Sequence, residues 1–298
     1  SEDSFFTPFE EKETNTGGTS LGKYVLKSGY VGYTSLSYAQ KGFGISAEYK
    51  RTENFDVRSD PFQTRNIGLM NYIPPANRLN TYRLTARYSP ASQFIGEEAF
   101  QIDVRYSPHR KLSFLANFSN ITTLDGDQLY REIFTEVIYK YKREWQITGG
   151  LQLQSYNQEI YETKPEVPLV ETVTPYLEFL YKFTRKKSLR IEAQYMDTEQ
   201  DFGSWIFGLA EYAIAPHWLF EVSGMYNVQP TETSDPETGD KVIRDKILYP
   251  TLGVVYSHKA SRYSLRYVKQ VEGVVCSGGI CRLEPAFSGV KFQVSTTF

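Results

Sequence analysis

Few side chains in this 298-residue chain have the type and spacing that chemistry requires. Cys276 and Cys281 are the only cysteines, and Ser277, Gly278 and Gly279 between them permit a tight reversal. In an oxidising compartment such a pair is expected to close a local disulfide. A ring that small stabilises by only about 2 kcal/mol on the chain-entropy model, so its expected role is to stiffen a loop tip. A reduced pair is the alternative; a metal clip is the other, and two thiolates with no nearby histidine fall short of a ligand set. His109, His217 and His258 fall at or beside three different short turns. No serine, histidine and acid converge in a nucleophilic arrangement, and no glycine-rich phosphate motif is present. The reading is of a chain without catalysis, cofactor or metal.

The remaining candidates are charges that recur at every second residue. Arg83, Arg87, Asp103, Arg105, Glu136, Lys140, Arg190, Glu192 and Arg266 each stand opposite an apolar or aromatic neighbour in an alternating segment. Alternation of this kind needs strands whose two faces meet different surroundings. Trp145, Ile147, Leu151 and Leu153 alternate with Gln146, Thr148, Gln152 and Gln154, with Gly149 and Gly150 narrowing both faces. Leu189, Ile191, Ala193 and Tyr195 alternate with Arg190, Glu192 and Gln194; Phe100, Ile102, Val104 and Tyr106 with Gln101, Asp103 and Arg105; and Tyr82, Leu84, Ala86 and Tyr88 with Arg83, Thr85 and Arg87. If the apolar face meets lipid, a slip of one residue places charge in the membrane at about 2–4 kcal/mol per Arg or Lys.

Composition agrees with a wall that is wet on one side. Mean hydropathy is −0.44 and no apolar run is long enough for a transmembrane helix, while 23 Tyr and 19 Phe suffice for interfacial girdles. The net charge of −2 gives no reason to expect nucleic acid. The chain is therefore expected to be all-β, an antiparallel transmembrane β-barrel of outer-membrane type. Fifteen strands are predicted, at about 29–40, 42–52, 65–73, 81–89, 98–106, 111–121, 131–142, 145–157, 172–184, 188–197, 203–214, 218–229, 243–258, 262–273 and 287–298. Short connections at 41–42, 107–110, 143–144, 185–187, 215–217 and 259–261 suit periplasmic turns, and the longer ones suit extracellular loops. Residues 1–28 are expected to be an extracellular loop or partly disordered, and 29–298 to hold the barrel strands. An odd count with a periplasmic C-terminus starts the first strand outside, so strands upstream of Ser1 are expected, making this the C-terminal part of a larger barrel.

The last strand places Val290, Phe292, Val294 and Thr296 on the face that ends in Phe298. A closing strand with a terminal Phe resembles the signal that the barrel-assembly machinery recognises in bacterial outer-membrane barrels. The run from Arg51 to Asp60, with Asn71 to Pro75, Asn80 to Tyr82, Cys276 to Arg282, Phe287 to Gly289 and Thr296 to Phe298, resembles the later part of a Bacteroidota outer-membrane barrel family of unassigned function. The resemblance implies a multi-pass outer-membrane location and brings no activity. Together with the polar face, it frames the expected function as a transport or pore-type barrel with outer-membrane lipid around it. The alternative is a non-catalytic subunit of an outer-membrane complex, either secretion or assembly machinery or a barrel capped by a surface lipoprotein.

Overall fold

The computed structural model describes residues 2–6, 12–13, 19–20, 24–54, 75–90, 95–234, 241–270, 273–277 and 280–297. Thirteen strands form one antiparallel sheet in chain order: β1 Tyr30–Gln40, β2 Phe43–Glu53, β3 Glu97–His109, β4 Leu112–Thr123, β5 Gln128–Tyr141, β6 Trp145–Tyr156, β7 Val170–Lys182, β8 Lys187–Met196, β9 Ser204–Ile214, β10 Trp218–Gln229, β11 Leu248–His258, β12 Ser261–Gln270 and β13 Phe287–Thr296. Neighbours in the sheet are antiparallel and follow one another in the chain, and the tight turns use residues that tolerate positive φ, such as Gly42 at 78°. A short helix, α1 Gln158–Tyr161, follows β6, with Asn157 capping it by accepting from the Ile160 N–H at 3.0 Å. No helix among the described residues is long and apolar enough to cross a membrane.

The burial pattern is inverted relative to a sheet that covers an oily core. On β5 to β7 the buried positions include Glu132, Glu136, Gln152, Gln154, Thr172 and Thr174, whereas the exposed ones include Ile133, Val137, Leu151, Leu153, Val173 and Leu177. Alternation thus sends polar side chains to the concave interior and apolar ones outward. At the turn end the outward face carries a run of touching aromatic rings, from Tyr139 and Trp145 through Phe179, Tyr181 and Phe183 to Tyr212. It resumes with Trp218, Phe220, Tyr256 and Tyr263. At the loop end the outward tyrosines Tyr49, Tyr195 and Tyr226 stand exposed along the sheet.

Thirteen of the fifteen expected strands are in this sheet. Residues 65–73 lie outside the described residues. Residues 81–89 are not a strand at all but a series of turns, with Ala86 N–H donating to Tyr82 O at 3.0 Å and Arg87 N–H to Leu84 O at 3.1 Å. A seven-residue alternation also places residues 82, 85 and 88 one turn apart, so period alone does not separate the two conformations. The expectation that Tyr82 and Tyr88 face lipid is therefore wrong; both are buried inside. Arg83 and Arg87 are likewise charges of this inner segment and not of the wall. One connection runs from 54 to 96, and that between β4 and β5 is only four residues long, Leu124 to Asp127.

At the N-terminal end, Glu2–Phe6 pairs with Tyr24–Ser28, and Lys12–Glu13 with Thr19–Ser20. These ribbons lie within residues 1–28, the segment expected to be an extracellular loop or partly disordered. β1 and β13 are the edges of the sheet, and neither pairs with a further strand among the described residues. Because thirteen is odd, both run from the loop end to the turn end. Pairing them directly would be parallel, whereas every other contact in the sheet is antiparallel.

Candidate functional site in the lumen

The interior is occupied by residues 75–90, and the wall is built to hold them. The segment climbs from Arg78, near the turn-side half, to Tyr88 at the loop end. Three inward glutamines bind its backbone: Gln152 Nε2 donates to Thr85 O at 2.9 Å, Gln154 Nε2 to Tyr88 O at 2.6 Å, and Gln194 Oε1 accepts from the Leu84 N–H at 2.7 Å. Where the coil packs against buried wall side chains, its peptide groups are shielded from water and the wall supplies their partners. Amide side chains on alternate strand positions supply both donors and acceptors. Glu132 completes the cradle by accepting from Asn80 Nδ2 at 2.6 Å and from Gln152 Nε2 at 2.5 Å.

At the loop end Tyr88 Oη donates to Asp201 at 2.8 Å, and Asp201 also faces Arg87 at 3.7 Å and Lys164 at 3.5 Å. Burial raises the Tyr88 hydroxyl above its ordinary pKa, so it stays protonated and keeps donating. Arg87 lies 4.9 Å over the Trp205 ring. Leu84, Tyr88, Tyr130, Tyr156, Met196 and Trp205 then form a small apolar core between segment and wall.

Below the segment, toward the turns, the interior is charged. Arg190 donates to Glu211 at 2.6 Å, to Glu192 at 2.9 Å and to Glu178 at 3.0 Å, joining β7, β8 and β9. Among the described residues, two polar contacts of the interior span a whole strand, and each crosses a glycine. Tyr176, Gly150 and Glu136 are in register on β7, β6 and β5, and Tyr176 Oη reaches over Gly150 to donate to Glu136 at 2.9 Å. A Cβ at Gly150 would meet Tyr176 Oη at 2.4 Å and Thr135 O at 2.2 Å. Arg266, Gly253 and Glu221 repeat the device on β12, β11 and β10, with an ion pair at 3.2 Å and a Cβ at Gly253 only 3.0 Å from Arg266 Cγ. The glycines are thus saddles for side chains.

Of the wall charges singled out from sequence, Glu136, Arg190, Glu192 and Arg266 join these networks, Asp103 pairs with Arg105 at 3.0 Å, and Lys140 is exposed near the turn rim. Gln152, Gln154, Gln194, Glu132 and Asn80 are not among the residues singled out from sequence; for the three glutamines an uncharged amide at an inward position was the signal. His217 and His258, expected on separate strands, come together with ring centres 6.1 Å apart. The described residues hold no group of three metal-ligating side chains. Cys276 and Cys281 are directly opposed on a hairpin of Gly273–Ser277 and Ile280–Glu284, while their side chains lie outside the described residues. Val290, Phe292 and Val294 project outward, exposed, from β13, and Phe298 is outside the described residues.

A profile described as a family of unknown function, DUF6029, matches residues 2–298. No curated protein matches the chain. Among solved structures, Pseudomonas aeruginosa OccK8 (OprE) aligns over 96% of this chain and 84% of its own, at 10% identity and a TM-score of 0.46. A Pseudomonas aeruginosa FadL homologue aligns over 94% and 79%, at 12% identity and a TM-score of 0.34. Likenesses at these scores do not bear on activity.

Proposed function

We propose that this chain, which belongs to the family of unknown function DUF6029, is a non-catalytic outer-membrane barrel that passes small solutes through a lumen constricted by residues 75–90. The observation that carries the reading is the inverted sheet. An apolar, aromatic-belted exterior matches lipid, and a charged, hydrogen-bonded interior matches a water-filled path. In this reading the organism is a member of the Bacteroidota, β13 with Phe298 is the strand the barrel-assembly machinery recognises, and the cysteine hairpin is a disulfide-closed loop tip.

The inner segment decides how wide the path is. Single-channel recording on protein reconstituted in planar bilayers is expected to give small, steady currents. Replacing Tyr82, Leu84 and Tyr88 together with serine is expected to raise the conductance several-fold by loosening the constriction. Silence from both proteins would sink the transport reading. One observation favours a second reading: a lumen filled by packed side chains also suits a structural subunit of an outer-membrane complex, or a barrel capped by a surface lipoprotein. Silent bilayers together with a stoichiometric partner co-purified from native membranes would establish that instead.

A further inference from the structure

Beneath the inner segment, on the turn side, lies a cavity of about 340 Å3 lined by Arg78, Arg105, Ser107, Ser113, Leu115 and Glu136, among others. Its two opposite charges are held apart. The Arg78 guanidinium is fixed 4.1 Å over the Phe134 ring, and its Nη1 is buried without a hydrogen-bond partner. Glu136 is tied back by Tyr176 Oη at 2.9 Å across the Gly150 saddle. Phe134 and Tyr176 stack on one another at 5.6 Å, so a single aromatic pair positions both charges. Arg105, the other cation, is already paired with Asp103. No ion pair joins Arg78 to Glu136, although they face the same space.

Opposite charges facing one partly buried space normally pair, because a desolvated charge left unpaired is costly. Clamping them apart across a cavity produces a template with a donor for a carboxylate at one end and an acceptor for an ammonium at the other. Leu115 and Ile138 add an apolar flank, and Ser107 and Ser113 a hydroxyl pair at 2.9 Å. The volume lies at the low end of small-molecule sites. We infer that this cavity binds a small zwitterion of the amino-acid type, its carboxylate on Arg78 and its ammonium on Glu136, with an apolar side chain against Leu115.

The inference names a ligand for the transport reading above and rests on it for its biological meaning, but binding is measured separately. Equilibrium dialysis of the detergent-solubilised full chain would use labelled leucine, 4-methylpentanoate, which lacks the ammonium, and 3-methylbutylamine, which lacks the carboxylate. Leucine is expected to bind at least about tenfold more tightly than either single-charge analogue, the worth of one hydrogen bond to a charged group. Arg78→Gln is expected to abolish the preference over the amine, and Glu136→Gln the preference over the acid. Equal binding of all three probes by the unaltered protein would overturn the proposal without reference to any variant. Leucine binding with silent bilayers would keep this site and remove the transport reading. Conductance without leucine binding would do the reverse.

Discussion

β6 and β1 are strands of similar length in opposite surroundings. On β6, Thr148, Gln152, Gln154 and Tyr156 are buried; on β1, ten of eleven residues are exposed, including Tyr33 and Leu36. The difference does not come from the strands. β6 lies against residues 75–90 and between two paired neighbours, whereas β1 has one neighbour and nothing described on its inner face. Burial on β6 is therefore conferred by the inner segment. Stability should be concentrated in the strands that touch it, and the sheet edges should tolerate change.

That contrast can be broken most directly at Leu84, which is 1% exposed between segment and wall. Leu84→Asp is expected to cost about 3–5 kcal/mol, the range for an uncompensated buried charge, read as a lower urea midpoint in detergent micelles. Next comes a pair of glycines. Gly150→Ala must displace Tyr176 or the Thr135 carbonyl and is expected to cost about 1–3 kcal/mol. It should also weaken the Tyr176 to Glu136 bond. Gly44, on β2, has nothing within 4 Å of an added Cβ, so Gly44→Ala is expected to stay within about 0.5 kcal/mol. Equal effects at the two glycines would refute the saddle.

Gln154→Leu removes the donor to Tyr88 O and Tyr130 Oη, and a loss of about 1–3 kcal/mol is expected. Protease cutting near Tyr88 should speed up in the same variant, since the segment loses an anchor. The smallest effect is expected at the edge. Leu36→Ala, at a residue 69% exposed, should move the urea midpoint by no more than about 0.5 kcal/mol. A large loss there would mean that something covers β1 in the micelle.

Most strands were legible because alternation over ten or more residues has one physical solution. Trp145–Tyr156 and Lys187–Met196 sit within a residue of where their periodicity placed them, and Phe287–Thr296 ends two residues early. The inner segment was not legible. Tyr82, Leu84, Ala86 and Tyr88 are too few to separate a strand from a coil of turns, and Pro75 and Pro90 on either side were the available hint. Arg190 and Glu192 could be assigned to the wall from sequence, but not their partners Glu178 and Glu211, which come from other strands.

The sequence by itself determined the antiparallel order, the apolar outside and the polar inside, because period and turn chemistry are local. Only the tertiary structure decided what fills the interior. Which amide meets which peptide group, and which charge crosses which glycine, depends on strand register and on a connection of more than forty residues folding back. Neither is written in any one stretch of chain. Gln152, Gln154 and Gln194 are ordinary polar positions until Thr85, Tyr88 and Leu84 arrive from elsewhere in the chain to use them.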